Sequence, residues 1–383
     1  MTRDKRLPDT TLSALMNKQG TNIEQFETYE PEWICMADVE PKNQPWFWKD
    51  IIPYDTLTLF AGHGGIGKSL ILLYLAAKTT TGHVFSAGGN IHQLPKGSVI
   101  LLSAEDDVEY QIRPKLITAN ADINKIHFIK SKIGKNSKKK KFIELDKDLH
   151  ILEQKITQLK DVRFIIVDPV GYFMGDTKDH YNMEVANFLQ PLIDLAKKHN
   201  IAIILNKHLR KTATNSKGAT SAADEVGGAG AWTNTPRRCW LITNHHEDHD
   251  IKVISKMKDN LGKMEEDCLG YRIVSTVITH NNVQISTTEL AWEDKLLKIS
   301  AEEAVNEEKY AKTKLEAAIE YIYNYLKQNG QSVVAHIREK AFKDGIKEAT
   351  FRRASEVFEQ QNRSSLIITQ GIKGAKMYNL KEE

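Results

Sequence analysis

The sequence predicts an α/β protein with a mostly parallel sheet, followed by a small helical domain at its C-terminal end. From Thr56 onward short apolar strands alternate with amphipathic helices, and a glycine-rich motif lies between the first strand and the first long helix. The last strands follow one another without helices, which predicts an antiparallel edge. The predicted strands are Thr56–Ala61, Ser98–Ser103, Ile126–Lys130, Phe164–Asp168, Ala202–Asn206, Arg238–Thr243, Lys252–Lys256 and Tyr271–Ser275.

Changes in composition divide the chain into four parts. Residues 1–45 are a polar N-terminal segment, and residues 46–285 carry the alternating strands and helices. Residues 286–308 include an acidic stretch without bulky side chains, which favours a linker. Residues 309–383 form the second domain.

Composition narrows the class of protein. The 383 residues carry a formal charge of +3, which is too small to indicate nucleic-acid binding by itself. No run approaches the roughly 20 apolar residues of a membrane span. Cys35, Cys239 and Cys268 are widely separated, which argues against a disulfide framework or a structural zinc site. We expect a cytoplasmic protein without a membrane partner.

The glycine-rich motif fits the Walker A pattern G-x-x-x-x-G-K-[ST], from Gly62 to Ser69. Glycines let the backbone adopt left-handed angles and bring N–H groups to the phosphates at a helix N-terminus. Lys68 neutralises phosphate charge and Ser69 can bind Mg²⁺. The predicted ligands of ATP and Mg²⁺ in this loop are Gly62, Gly64, Gly65, Gly67, Lys68 and Ser69.

Two further strands end in carboxylates. Arg163–Asp168 is an apolar strand that ends in an acid, as a Walker B element does, so Asp168 is the second predicted Mg²⁺ partner. The strand before it in the chain ends in Ser103-Ala104-Glu105-Asp106-Asp107. A base that polarises the attacking water should lie there, unless these acids merely cap the following helix.

With these motifs the chain resembles RecA-like ATPases of the plasmid RepA type, hexameric replicative helicases of the wider DnaB-like group. The resemblance covers roughly residues 46–280 and implies a RecA-like P-loop core in which Glu105 is the catalytic carboxylate. The segment Ile201–Lys211 resembles the strand of this family that ends in a pair of histidines. His208 keeps the second position and is implied to sense the γ-phosphate, whereas Lys207 replaces the first histidine.

The resemblance also implies contacts with DNA and with a neighbouring subunit. The small, polar segment Thr212–Asp224 corresponds to the loop that touches single-stranded DNA, with Lys211 and Lys217 as phosphate contacts. Gly227–Arg238 resembles the turn and helix that carry an arginine finger, which falls on Arg237, with Arg238 as the alternative. An arginine supplied by a neighbour implies a homo-oligomer, in this family a hexamer.

The C-terminal pattern of helix, glycine turn, basic helix and hairpin predicts a winged helix. Its candidate DNA contacts are Arg352, Arg353 and Lys373. Winged helices also dock proteins, so duplex DNA and a protein partner both stay open for this domain.

The sequence therefore predicts an ATP-dependent DNA helicase or translocase that serves the replication of a plasmid, phage or other mobile element. Two alternatives remain: a DNA-binding regulator or helicase loader in which ATP switches the oligomeric state, and a recombinase-like filament. Processive unwinding would separate the helicase from both alternatives.

Overall fold

A computed structural model describes residue 31 and residues 33–129, 131–133, 140–210, 221–245, 248–264, 266–362, 366–371 and 374–381, without the side chains of 307–313. The chain divides into two compact units, residues 1–43 and 44–383. The described part of the first unit contains a 3-10 turn at Met36–Asp38. The second unit contains the predicted α/β fold.

The strands of the second unit are mostly short, and the two longest lie late in the chain. They are β1 (Trp46–Trp48), β2 (Ile52–Pro53), β3 (Leu57–Gly62), β4 (Phe85–Ala87), β5 (Asn90–His92), β6 (Ser98–Ser103), β7 (Ile126–Ile129), β8 (Lys132–Ile133), β9 (Lys140–Lys141), β10 (Val162–Asp168), β11 (Ala202–His208), β12 (Arg238–Asn244), β13 (Ile251–Asp259), β14 (Asp267–His280), β15 (Val283–Trp292), β16 (Leu297–Lys298), β17 (Ser332–Val333), β18 (Leu366–Gln370) and β19 (Lys376–Leu380).

The helices differ widely in length. They are α1 (Lys68–Thr81), α2 (Arg113–Thr118), α3 (Leu149–Leu159), α4 (Asn182–His199), α5 (Ala231–Asn234), α6 (Ala301–Asn329), α7 (Val334–Lys343) and α8 (Glu348–Gln361). A π turn at Val108–Ile112 leads into α2. The described helices include none that is long and apolar enough to cross a membrane.

The main sheet has the order β15-β14-β13-β12-β3-β11-β10-β6-β7, with β16 beside β14. The strands from β12 to β7 are parallel, and β13, β14 and β15 are antiparallel. The predicted α/β class and antiparallel edge are therefore confirmed. The predicted strand Tyr271–Ser275 is a small part of β14, which forms a long hairpin with β15 around Asn281 and Asn282.

Two apolar cores cover the two faces of this sheet. One face packs against α1 and α2 through residues such as Ile71 and Leu116. The other packs against α3 and α4 through residues such as Leu152 and Leu189. Burial on both faces explains why the parallel strands consist of nearly continuous apolar runs.

The predicted linker is occupied by regular structure. Strand β15 extends to Trp292, and α6 begins at Ala301, preceded by Ser300, whose side chain forms a capping box with Glu303. Ala301, Ala304 and Val305 pack into the core of the sheet. Their small side chains, which suggested a linker, allow this close packing, so that one continuous helix runs through the segment.

The C-terminal elements form a third core. α6 contributes Ala318, Ile322 and Leu326, which pack with Phe351 and Phe358 of α8. The helix ends at Asn329, and the predicted hairpin is formed by β18 and β19. The identification of these elements as a winged helix stays a prediction.

A buried ion pair joins β12 to the end of β13. Arg238 Nη2 lies 2.7 Å from Asp259 Oδ2, and the two side chains are 3% and 0% exposed. The guanidinium also stacks over the ring of Trp46, 4.9 Å from its centroid, and donates a hydrogen bond to the carbonyl of Asp50. These contacts hold the N-terminal β1–β2 hairpin against the sheet.

We predict that Arg238→Met lowers the free energy of unfolding by about 1.5–3 kcal/mol, because the buried Asp259 loses its closest partner and keeps Lys256, 3.3 Å away. The matched variant Arg237→Met changes an exposed neighbour and should alter stability by no more than about 0.5 kcal/mol. Urea unfolding followed by circular dichroism measures both. Equal losses in the two variants would contradict this account.

Candidate nucleotide site

The phosphate loop follows β3 and has the backbone that its glycines predict. Gly65 and Gly67 have φ angles of 76° and 90°, in the left-handed region. A Cβ on Gly62 would lie 2.6 Å from the carbonyl oxygen of Ile242 on β12, so the glycine permits close strand packing there. The Tyr271 hydroxyl donates a 2.6 Å hydrogen bond to the Ile66 carbonyl and holds the loop from β14.

Lys68 begins α1 and folds back into this loop. Its ammonium donates hydrogen bonds to the carbonyls of Gly62, at 2.9 Å, and His63, at 2.7 Å. The side chain is buried, and burial lowers the pKa of Lys68 to about 8, although Asp168 and Glu105 oppose the shift. A cation partly deprived of water here is suited to bind phosphate.

Asp168 stands at the end of β10 and is 6% exposed. Burial raises the pKa of this carboxyl, against the opposing hydrogen bonds from Ser69 and Asn206. The Asn206 amide of β11 donates to Asp168 Oδ1, and Asn206 Oδ1 is buried with no hydrogen-bond partner. Ser69 and Asp168 also line one cavity together with Asp106.

This oxygen-rich set fits Mg²⁺. The hydroxyl of Ser69 and the carboxylate of Asp168 are the hard oxygen ligands that this ion prefers, and the unpartnered Asn206 oxygen lies beside them. Within the described part of the chain no three His, Cys, Asp or Glu side chains cluster as a metal site would require. The ion would therefore rely on Ser69, Asp168, phosphate oxygens and water.

The three acids after β6 have separate environments. Asp107 caps the π turn by accepting from the amides of Glu109 and Tyr110, at 2.8 and 3.0 Å. Asp106 pairs with Lys115 at 3.1 Å. Glu105 instead lies 3.4 Å from His208, measured between Oε2 and Nε2, and both side chains are partly exposed. Of the three, Glu105 is the acid that faces the predicted sensor.

His208 ends β11 in register with Gly62 of β3, which places it directly beside the start of the phosphate loop. The structure thus brings the loop, Asp168, Glu105 and His208 to one edge of the sheet. Asn206 and Lys115 were missed in the sequence. Asn206 could have been found, because it follows the apolar run of β11 just as Asp168 follows the apolar run of the neighbouring β10.

The remaining predicted residues lie elsewhere. Arg237 is exposed at the start of β12, where the next residue pairs with Thr58. From Thr58 the phosphate loop begins four residues further along β3, at Gly62, which corresponds to about 13 Å at the usual rise of a strand. Arg238, the alternative finger, is excluded by its burial against Asp259. The turn before Arg237 is held by Lys258, which is not among the predicted residues and donates hydrogen bonds to the carbonyls of Asn234 and Pro236.

The predicted DNA contacts are only partly described. Arg352 and Arg353 are exposed on α8, and Arg353 Nη1 lies 3.3 Å from His249 Nε2. Lys211, Lys217 and Lys373 lie outside the described residues.

Comparison with known protein families supports an ATPase. Residues 24–214 match the model of a family described as AAA domain. The chain carries an ATPase domain. A solved structure of the ATPase domain of another protein is similar over 57% of this chain and 82% of that chain, with 12% sequence identity and a TM-score of 0.41. No curated protein matches the chain.

We predict that nucleotide affinity of the ATPase domain is steady below about pH 8 and falls above it, by up to about tenfold per pH unit. The bound phosphates raise the pKa of Lys68, which is about 8 without ligand, so binding above that pH takes up a proton. Titration with a fluorescent ATP analogue measures this dependence. The control is Lys68→Arg, whose guanidinium does not titrate. Whatever the affinity of this variant, its dependence on pH should be flat. A flat profile in the unmodified protein would contradict the assignment.

Proposed function

We propose that this protein is an ATP-dependent DNA helicase or translocase that acts as a ring oligomer, a hexamer by resemblance, in the replication of a plasmid, phage or other mobile element. The observation that carries the proposal is the contact between Glu105 and His208 at the mouth of the nucleotide site. A water-activating acid that touches the residue leading into the DNA loop can connect hydrolysis to movement.

Within the site each side chain has a distinct role. Lys68 and the backbone amides of the loop bind the phosphates of ATP, and Ser69 and Asp168 would hold Mg²⁺. When bound, that ion neutralises charge on the phosphate oxygens. Glu105 orients the attacking water and accepts its proton, while His208 changes its contact with Glu105 as the γ-phosphate leaves.

The position of Arg237 favours an oligomer. It lies about 13 Å along the sheet from the phosphate loop of its own chain, counted as four residues of β3, and its side chain is exposed. An arginine placed in this way is better suited to the nucleotide of a neighbouring subunit than to its own. A ring in which each copy supplies Arg237 to the next would complete every site.

DNA would contact the protein at two places. Lys211 and Lys217 belong to the segment that follows His208 and would bind the phosphates of a single strand, so that movement of His208 reaches the strand directly. The C-terminal domain, proposed as a winged helix, would present Arg352, Arg353 and Lys373 to duplex DNA or to a protein partner.

We predict that single-stranded DNA stimulates ATP hydrolysis and that Glu105→Gln lowers kcat by at least about 100-fold, because the water loses its base. Steady-state hydrolysis with and without single-stranded DNA tests this, followed by an unwinding assay. Glu109→Gln is the matched control, since Glu109 is an exposed acid four residues away on the same segment.

Slow turnover that is indifferent to DNA would overturn the helicase proposal. In that case, ATP-dependent assembly together with site-specific duplex binding would support the ATP-switched regulator or loader instead.

A further inference from the structure

Three consecutive residues at the end of β11 point to opposite faces of the sheet. Asn206 donates to Asp168 and His208 contacts Glu105, so both face the nucleotide. Lys207, between them, faces the other side, as the alternation of side chains along a strand requires. Any shift of the backbone at His208 or Asn206 must therefore move Lys207 on the opposite face.

Lys207 is a buried cation with a defined environment. It is 7% exposed, its ammonium lies 2.9 Å from Asp179 Oδ1, and it is 4.3 Å from the centroid of the Trp232 ring. Burial lowers the pKa of Lys207, and Asp179 opposes the shift. The Asp179 side chain is 43% exposed, so the pair is only partly removed from water and adds little stability in return for burying the lysine. Stability alone therefore does not account for a lysine here.

Asp179 also holds the glycine-rich turn that precedes α5. Its carboxylate accepts a hydrogen bond from Trp232 Nε1, and its carbonyl accepts one from the Ala229 amide at 2.8 Å. At Gly228, where φ is 93°, a Cβ would lie 2.6 Å from the same carbonyl oxygen. The turn and Asp179 are therefore packed too closely to move independently.

The turn leads directly to Arg237. Trp232 is fully buried in α5, which ends at Asn234, three residues before Arg237. On the other side Arg238 is fixed by its pair with Asp259. The exposed Arg237 thus lies between a fixed strand and a short helix whose position depends on Asp179 and Lys207.

We propose that Lys207 is a positioning residue that couples the state of the nucleotide site to Arg237 through Asp179 and Trp232. This inference rests on the proposed function, in which Arg237 serves the neighbouring nucleotide. Loss of the γ-phosphate shifts the end of β11, Lys207 moves with it, and the turn carries the displacement to Arg237. Hydrolysis in one subunit would in this way change how that subunit places Arg237 at the nucleotide of the next subunit.

A double-mutant cycle on the full-length, assembled protein tests the coupling. Lys207→Met should lower kcat about tenfold and leave KM within about twofold, because it misplaces Arg237 without touching the substrate. In an Arg237→Ala background the same substitution should cost nothing further. Lys207→Arg keeps the cation and should retain most of the activity. A purely structural role would give additive losses, which would overturn the proposal.

The cycle separates this inference from the proposed function. If Arg237→Ala leaves kcat unchanged, the role of Arg237 between subunits is wrong and the coupling fails with it. Suppose instead that Arg237→Ala lowers kcat. The coupling alone fails if Lys207→Met leaves kcat unchanged, or if the loss in the double variant equals the two single losses combined.

Circular dichroism and size-exclusion chromatography report folding and assembly of each variant. If Lys207→Met does not fold or does not assemble, Asp179→Asn replaces it in the same cycle. The amide keeps an acceptor for Trp232 and removes the charge that faces Lys207.

Discussion

The close approach of β12 to β3 at Gly62 is the constraint on which the rest of the site depends. Only a residue without a side chain fits there, since a Cβ would lie 2.6 Å from the carbonyl of Ile242. The same residue is in register with His208 and accepts a hydrogen bond from Lys68. One glycine therefore helps to set the spacing of the phosphate loop, β11 and β12, the strand that begins beside Arg237.

Charges buried around that point are balanced against one another. Burial lowers the pKa of Lys68 and raises the pKa of Asp168, and both shifts favour the neutral form of the side chain. Such groups are costly in the ligand-free protein and would be stabilised most by a bound phosphate and a divalent cation. On the opposite face the buried Lys207 pairs with the partly exposed Asp179, so charged side chains flank the end of β11 on both faces of the sheet.

The sequence predicts those features that depend on neighbours in the chain. The apolar runs give the parallel strands, as at Ser98–Ser103, and the spacing of glycines gives the phosphate loop. The hairpin of β14 and β15 was missed beyond Ser275, because its mixture of small polar and β-branched residues has no apolar period. The contacts of Lys207 with Asp179 and of Arg238 with Asp259 could not be predicted, because no local sequence pattern shows which distant residue pairs with a buried charge.

The continuous helix α6 limits where motion can arise. Its first turn packs into the core of the sheet and its last turns into the C-terminal core, over 29 residues or about 43 Å. A helix anchored in both cores transmits rigid-body movement and absorbs little of it. The exposed arginines of α8 would then follow the sheet as one body, which favours the turn held by Asp179 as the place where the proposed nucleotide-driven change occurs.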